Sequence, residues 1–237
     1  MSVSRKIRTA VAGLSGGEPT PPDLPYNMWY KHDGEQFQDA GRTIPSAIGD
    51  PVSSWSDETG LGKHLTGSGP VKRADGIYFS SNWMNNGVSE NITGRPYTTA
   101  TAFHITTTAV GWLYQRSVDS NNNHKWRDIS GTLQMLGENS GLTSLTGSIV
   151  SAFTGGANHT VLFEINGKNA NNASYQVLIN DVLKYTKSYQ GRSALPQGTL
   201  TLGGHVGLTM YEHMEITKDL TAAESIELRA YLARHNP

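Results

Sequence analysis

The chain has 237 residues with 19 Lys or Arg against 20 Asp or Glu, and this near-neutral charge argues against a broad basic surface for nucleic acid. Cysteine is absent, which excludes disulfides, thiolate metal sites and cysteine nucleophiles. Glycine, serine, threonine and asparagine together supply 87 residues, a composition typical of short strands joined by many turns.

Residues 1–25 differ from the rest because they combine a small basic cluster, a proline-rich run and little apolar material. Prolines fix φ and donate no hydrogen bond, so this segment is predicted to be an extended N-terminal arm or linker. It buries too little apolar surface to order alone, so it either docks on a partner or is an unstructured tail. The candidate docking residues are Arg5, Lys6, Ile7, Arg8, Val11 and Leu14.

From Tyr26 onward the pattern is that of β-strands. Runs rich in β-branched and aromatic residues recur at close spacing, and no helical segments alternate with them. This excludes a parallel α/β sheet and predicts an all-β, two-sheet antiparallel sandwich over residues 26–237. The predicted strands cover residues 27–31, 52–57, 77–80, 98–108, 111–117, 132–136, 148–153, 159–165, 175–179, 182–185, 199–202 and 208–217.

Side-chain patterns within these strands predict a core. Tryptophan, phenylalanine and leucine in apolar strands are expected to face inward. The strand 208–217 alternates, and this places its Leu, Met and Ile residues on one face. The residues predicted to be buried are Trp29, Trp55, Phe79, Phe103, Trp112, Phe163, Leu202 and Met214.

Two local signals lie toward the C-terminal end. Asn180 and Asp181 separate two apolar runs, and both residue types tolerate positive φ, so a hairpin is predicted there. Thr221 and Glu224 fit a capping box at the start of a run of strong helix formers. A single helix of about three turns is therefore predicted at the edge of the sandwich, ending before Pro237.

Two segments and one hairpin resemble the concanavalin A-like jelly rolls of the laminin-G and pentraxin type. The opening segment includes Gly49-Asp50-Pro51-Val52, Trp55-Ser56-Asp57, Thr59-Gly60 and Gly62-Lys63-His64-Leu65. The closing segment includes Leu200, Leu202-Gly203-Gly204, Gly207, Glu212, Ile216, Leu220-Thr221, Glu224 and Tyr231-Leu232, and the hairpin is Ile179-Asn180-Asp181-Val182-Leu183. The resemblance implies a jelly-roll sandwich with a short final helix.

The resemblance also implies a role. Domains with this opening and ending that lack cysteines are frequent in tailed-bacteriophage structural proteins, so the first expectation is a non-enzymatic virion protein of the capsid or tail. Such a protein is made in the host cytoplasm, assembles in many copies and attaches to other virion proteins through its arm. The alternative is a carbohydrate-binding lectin or adhesin module, and the third reading is a glycosidase. No nucleic acid partner is expected. Membrane insertion is not expected either, because no stretch approaches about 18 consecutive apolar residues.

The carboxylate pattern argues against catalysis. A retaining glycosidase needs two carboxylates about 5 Å apart, and the nearest sequence pair is Glu212 and Glu215. Their odd spacing in a strand predicts opposite faces. Glu212 is therefore predicted to be a half-buried structural carboxylate paired with a Tyr, a His or a backbone donor.

Exposed aromatics beside amides are the candidates for contact with a host glycan or a partner. Trp83 lies among Asn residues, and Trp126 lies near an Asn run and Asp128. Aromatic rings can stack on sugar faces, while amides donate and accept hydrogen bonds around them. The candidate contact residues are Trp83, Asn82, Asn85, Trp126 and Asn122. Surface packing on a neighbouring chain is the alternative for both tryptophans.

One loop offers hard oxygen ligands for calcium, the single candidate cofactor. Asp119, Asn121 and Asn123 alternate as in calcium loops, and Asp128 is a candidate to close the site. The EF-hand pattern fails because His124 stands where Gly is needed and Ser130 where Glu is needed. An Asn-rich turn between strands is the simpler alternative.

Overall fold

The computed structural model describes residues 20–91, 97–119, 122–138, 147–169, 172–190 and 197–235. The proposed docking residues of the arm lie outside the described residues, and so do Ser120 and Asn121. The described chain is almost entirely β, with one α-helix near its end. No helix among these residues is long and apolar enough to span a membrane.

Short strands dominate the first ninety residues and long strands the remainder. The elements are β1 Tyr26–Lys31, β2 Gln36–Phe37, β3 Ser54–Trp55, β4 Leu65–Gly67, β5 Val71–Lys72, β6 Ile77–Ser80, β7 Trp83–Asn85, β8 Glu90–Asn91, β9 Tyr97–Ile105, β10 Gly111–Asp119, β11 Asn122–Ile129, β12 Thr132–Glu138, β13 Gly147–Ile149, β14 Ala157–Asn169, β15 Asn172–Ile179, β16 Val182–Gln190, β17 Gln197–Gly203, β18 Val206–Ile216 and α1 Ala222–Leu232.

The strands form two antiparallel sheets that pack as a jelly-roll sandwich, as predicted. The smaller sheet has the order β16-β15-β14-β9-β18-β6-β5, with β1 also paired to β18. The larger sheet has the order β13-β12-β11-β10-β17-β7-β4-β3-β2, with β8 also paired to β17. Strands adjacent in sequence often lie in different sheets, so the connections cross between the sheets at the ends of the sandwich.

The main core lies between the two sheets, where alternate side chains of both sheets face each other. The predicted core residues Trp55, Phe79, Phe103, Phe163 and Leu202 all belong to it. Burying each of them contributes about 1.5–3 kcal/mol before entropy is subtracted.

Two residues predicted to be buried are only half-buried. Trp29 packs against a second apolar cluster, which lies on the outer side of the smaller sheet and includes Met214, Leu228 and Tyr231. Its Nε1 donates to Glu212 Oε1 at 2.6 Å. Trp112 lies on the outer face of the larger sheet. Both predictions of burial are wrong because apolar neighbours in sequence do not show which side of a strand is covered.

A β-bulge in β18 changes which residues share a face. The pairing with β9 shifts register between Met210 and Glu212, so the alternation restarts after Tyr211. Met210 therefore faces the main core, whereas Met214 faces the second cluster on the outer side of the smaller sheet. The sequence prediction that these two methionines share a face is wrong for this reason.

The helix covers the outer face of the smaller sheet rather than the edge of the sandwich. Leu228, Tyr231 and Leu232 are buried there against Leu162 and Met214. The predicted capping box is present, since Thr221 Oγ1 accepts from the Glu224 amide and Glu224 accepts from the Thr221 amide. The helix ends at Leu232 and a 3₁₀ turn, Ala233–His235, follows it.

The predicted hairpin is present in the smaller sheet. Asn180 and Asp181 both have positive φ, at 49° and 64°, and they join β15 to β16. These angles suit the tight turns that match strand twist, and Asn and Asp tolerate them.

A charged cluster is buried between the sheets. Arg116 and Glu215 are both fully buried and form an ion pair, and Tyr97 Oη donates to Glu215 Oε1 at 2.6 Å. Burial raises the pKa of Glu215, but the Arg116 guanidinium and hydrogen bonds outweigh it and hold the pKa well below its usual range. Burial lowers the pKa of the neighbouring His213.

These shifts predict acid sensitivity. Both folded-state pKa values lie below the unfolded ones, so the unfolded chain binds more protons and stability falls with falling pH. We expect the free energy of unfolding to decline below about pH 6.5 as His213 resists protonation, and more steeply below about pH 4.5 through Glu215. Urea unfolding between pH 8 and pH 3 measures this, and His213→Gln should flatten the first part of the decline. Stability independent of pH over that range would contradict the assignment.

Candidate functional site

The outer face of the larger sheet is the surface that best combines aromatic, amide and cationic side chains. Met84, Leu202 and Trp126 point into the core, so their neighbours in the same strands point outward. One row across the sheet runs Thr66, Asn85, Thr201, Gln115 and Lys125 through paired registers. A second row links Trp112, Arg127, Gln134 and Ser148 through paired registers, and Trp83, paired with Gly203, lies on the same face two strands away from Trp112.

Trp83 is the exposed aromatic of this face. Its side chain is 53% exposed, and it pairs across the sheet with Gly203. The prediction that Trp83 is exposed is confirmed. An exposed indole on a regular strand is a rigid apolar surface surrounded by polar groups.

Two glycines separate Trp83 from Trp112. Gly203 and Gly204 have φ values of 97° and 89°, a region that suits glycine. A Cβ at Gly203 would lie 2.4 Å from the ring of Phe79, which is buried in the main core, so close packing toward the core requires glycine there. A Cβ at Gly204 would lie 3.4 Å from Trp112 Cβ, on the side of that tryptophan. Neither position adds a side chain between the two tryptophans. Two strand spacings place their backbones roughly 10 Å apart.

The side chains of two cationic residues lie over the ring of Trp112. Lys125 Nζ lies 5.5 Å and Arg127 Cζ 5.3 Å from the centroid of its ring. Such cation–π contacts contribute about 0.5–1 kcal/mol at exposed sites. Arg127 is also held by Gln134 Oε1, which accepts from its Nε. We call Trp83, Gly203, Gly204 and Trp112, together with the two cations, the platform.

Asp128 is buried beneath the platform, where its carboxylate accepts hydrogen bonds from the protein and is not available to a surface ion. It is fully buried, and its carboxylate accepts from the Gly131 and Ala109 amides at 2.7 and 3.1 Å. His205 Nε2, next to Gly204, lies 3.1 Å from Asp128 Oδ2. The Asp128 carboxylate therefore links the β9–β10 loop, the β11–β12 turn and the β17–β18 turn at this end of the sandwich.

The prediction that Asp128 closes a calcium site is wrong. Asp119 pairs with Asn122 at the tip of the β10–β11 hairpin, whereas Asp128 pairs with Gly111 at its other end. Six residues of strand from Asn122 to Asp128 span roughly 20 Å, too far for one ion. The side chains of 119–123 lie outside the described residues, so the loop itself stays a prediction. No group of three His, Asp or Glu within the described part could hold a metal.

Trp126 was a candidate contact residue, and that prediction is wrong. Its side chain is only 2% exposed and packs in the main core, 4.8 Å from Tyr114 and 5.4 Å from Phe163 between ring centroids. The segment that carries it is strand β11, not a loop. Inside that strand Trp126 faces inward, and Lys125 and Arg127 face outward.

The three candidate asparagines differ in position. Asn85 lies in the outward row, half-buried, and its Oδ1 accepts from the Gly87 amide. Asn82 Oδ1 accepts from the Ser80 amide and hydroxyl, so it shapes the turn before Trp83. Asn122 begins β11, and its side chain lies outside the described residues.

The two carboxylates lie on opposite faces of the smaller sheet, as predicted. Glu215 faces the core, while Glu212 faces the helix and is fully buried, more than the half-burial expected. Glu212 accepts from Trp29, Tyr231, Arg234 and His235. Burial raises its pKa, but these partners bring the pKa below its usual range. Glu212 therefore anchors the helix and does not share a cleft with Glu215.

A cleft of about 190 Å³ lies elsewhere, between the helix and the smaller sheet. Its lining has no aromatic residue and combines aliphatic with polar side chains: Leu162, Leu178, Leu232, Ala233, Thr160, Asn180, Asp181 and Arg229. An ion pair between Arg229 and Asp181 closes one side. Unlike the platform, this cleft offers no aromatic ring on which a ligand could stack.

Comparisons with known proteins agree on the architecture. The sequence matches no protein-family model and no curated protein. In structure it is similar to the CBM40 domain of the Ruminococcus gnavus IT-sialidase bound to α2,3-sialyllactose, with a TM-score of 0.50 and 16% identity over 66% of this chain and 95% of that one. The shared fold is a two-sheet antiparallel β-sandwich.

The binding domains of botulinum neurotoxins show the same likeness. Serotype D gives a TM-score of 0.60 at 10% identity, covering 87% of this chain and 51% of that one. A type C structure, concerned with interaction with two ganglioside molecules, gives 0.55 at 15% identity, covering 77% and 51%. The chain thus spans about half the length of these toxin structures, and identities this low establish the fold alone.

Proposed function

We propose that this chain is a non-catalytic, lectin-like module that binds a saccharide on the outer face of its larger sheet. The observation that carries the proposal is Trp83, which is 53% exposed on the same face as the half-buried Trp112. A pyranose ring has an apolar face that can stack on an indole, and Gly203, which pairs with Trp83, has no side chain beside it.

Polar groups around Trp83 suit the hydroxyls of a sugar. Asn85, Thr201 and Gln115 form one row of amides and a hydroxyl across three adjacent strands. These groups both donate and accept hydrogen bonds. Because they project from paired strands, they hold fixed positions before the ligand arrives, which lowers the entropy lost on binding.

The structural neighbours support the same reading. The CBM40 structure contains sialyllactose, and the type C toxin structure concerns gangliosides. The concanavalin A-like resemblance of the sequence points to folds of the same kind. We therefore place the lectin-like reading ahead of the virion reading.

Trp83→Ala should abolish most saccharide binding while leaving the fold intact. We expect affinity to fall at least tenfold, and unfolding free energy to change by no more than about 0.5 kcal/mol, as is usual for an exposed position. A glycan array of the full chain identifies the ligand, and calorimetry measures the affinities. Trp83→Tyr should retain part of the binding because it keeps an aromatic face.

Ile226→Ala is the matched control, since Ile226 is 57% exposed on the helix and far in the fold from Trp83. It should bind as the parent chain does. A Trp83→Ala variant that binds saccharides at full affinity would refute the site. A parent chain that binds no glycan of a broad array would refute the function.

A virion role remains a second proposal, based on the sequence resemblance alone. In this proposal the arm attaches to capsid or tail proteins, and the sandwich projects outward. Saccharide binding would then serve contact with a host surface. Residues 1–19 lie outside the described residues, and the comparisons add no support for this role. The two proposals are compatible, since one concerns the arm and the other the sandwich.

A further inference from the structure

Among the described side chains of their face, the cations of the platform have no opposite charge. Lys125 and Arg127 are half-buried and point outward from β11. Around them, the described outward side chains are neutral: Thr66, Asn85, Gln115, Gln134, Ser148 and Thr201. Neither cation forms an ion pair within the described part of the chain.

Several other cations in the described residues do have a counter-charge. Lys63, Arg116, Lys218, Arg229 and Arg234 each pair with a carboxylate, whereas Lys72, Arg73 and Lys184, like the two cations of the platform, do not pair with one in the described ranges. A pair of adjacent positive charges without a counter-charge repels and is unfavourable unless something else compensates it. On this face the described compensation is the Trp112 ring and one glutamine oxygen.

Both cations are restrained before any ligand arrives. Trp112 attracts them to its ring, and Gln134 accepts from Arg127 Nε. A guanidinium has five N–H donors, so four remain available in the described surroundings for a ligand. Because the side chains are already ordered, binding an anion loses less conformational entropy than it would with free surface lysines.

We propose that the saccharide bound at this site is anionic, and that Lys125 and Arg127 bind its carboxylate or sulfate. The inference rests on the proposed function and names its ligand class. A sugar ring stacked on Trp83 extends over Gly203 and Gly204 toward Trp112. The Trp112 backbone lies roughly 10 Å from that of Trp83, and the Lys125 and Arg127 head groups lie over the Trp112 ring. A charged group on the next ring of the saccharide therefore comes within reach of the two cations.

A nucleic acid would also offer stacking and negative charge, but the surface does not favour it. Nucleic acid binding needs a groove lined with many Lys and Arg residues along a backbone. This face presents two cations, and the whole chain has a net charge of −1. The short distance between aromatic and cations instead suits one charged saccharide unit.

The test compares matched neutral and charged glycans on the full chain. The probes are lactose, 3′-sialyllactose and 3′-sulfolactose, with maltotriose and trigalacturonate as a second neutral and acidic pair. Sialyl and galacturonate probes report carboxylate, and sulfolactose reports sulfate. We expect at least one charged probe to bind ten times more tightly than its neutral parent, with affinity falling as salt rises.

The double variant Lys125→Gln/Arg127→Gln should remove that preference. Its affinity for the charged probe should fall about tenfold to that of the neutral parent, and the salt dependence should flatten. Lys184→Gln, an exposed lysine on strand β16 of the other sheet, is the matched control and should change neither. Unfolding midpoints of both variants check that the fold is retained.

The outcomes separate this inference from the proposed function. Equal binding of neutral and charged glycans, lost in Trp83→Ala, would overturn the anionic ligand and leave the saccharide site standing. Binding of no glycan would overturn both. Tight binding of a single-stranded oligonucleotide that both variants abolish would overturn both in favour of a nucleic acid ligand.

Discussion

Arg116→Leu is expected to lower the free energy of unfolding by about 3–5 kcal/mol, because it leaves Glu215 buried and without its cation. The guanidinium Nε donates to Glu215 Oε1 at 2.9 Å, and a second nitrogen is ion-paired with the same carboxylate. It also donates to the Gly198 carbonyl at 2.7 Å and to Glu90 at 2.9 Å. Loss of the Arg116 side chain therefore removes a hydrogen-bond donor from acceptors on β8, β17 and β18.

The double variant Arg116→Leu/Glu215→Leu should recover much of this loss. Replacing a buried ion pair by apolar groups of similar volume is often close to neutral, whereas removing one partner is strongly destabilising. Glu90 keeps its ion pair with Lys63 in both variants. The double variant also frees the hydroxyls of Tyr97 and Tyr114 from Glu215, so recovery should be incomplete.

Urea unfolding at pH 7 measures the variants. Lys218→Gln, which breaks the partly exposed pair with Glu224, is the control and should cost less than about 1 kcal/mol. A loss for Arg116→Leu as small as that of the control would show that the buried cluster is not what fixes the packing of the two sheets.

Much of the fold could be predicted from the sequence because its signals are local. The Asn180-Asp181 turn follows from residue types that tolerate positive φ, and the helix start from the pair Thr221 and Glu224. Runs of apolar β-branched and aromatic residues located the long strands. Their all-β composition then left few architectures besides a sandwich.

Strand β11 was not predicted from the sequence, and neither was the inward orientation of Trp126. Its first residues are asparagines, which favour turns, and near its end the buried Asp128 interrupts the apolar pattern. Asp128 is tolerated inside because Gly131, Ala109 and His205 satisfy it. Ala109 and His205 lie far from Asp128 in the sequence, so no local pattern predicts that they satisfy its carboxylate.

The platform was found only in part. Trp83 was predicted from its exposed, amide-rich surroundings, but Trp112, Lys125 and Arg127 were not. The order Lys125, Trp126, Arg127 does contain a signal: in a strand, the two cations must share the face opposite the tryptophan. The pairing of Arg127 with Trp112 across strands depends on register, which a β-bulge in β10 alters.

Trp126→Ala should lower the free energy of unfolding by about 3–5 kcal/mol, as truncation of a fully packed aromatic does. The cavity would open against Tyr114 and Phe163, whose rings contact the indole from two strands. Trp83→Ala is the matched comparison, since it removes the same side chain from an exposed position and should alter stability little.

Together the two variants separate stability from binding. Under conditions where Trp126→Ala remains folded, it should bind the saccharide within a factor of a few of the parent chain, while Trp83→Ala should not bind it. The outward cations Lys125 and Arg127 flank Trp126 in β11, so some loosening of the platform is expected in the core variant. Thermal unfolding and calorimetry on both variants measure the two effects. If Trp126→Ala abolished binding without loss of stability, the indole would have to be exposed to the ligand, and the inward orientation of Trp126 would be wrong.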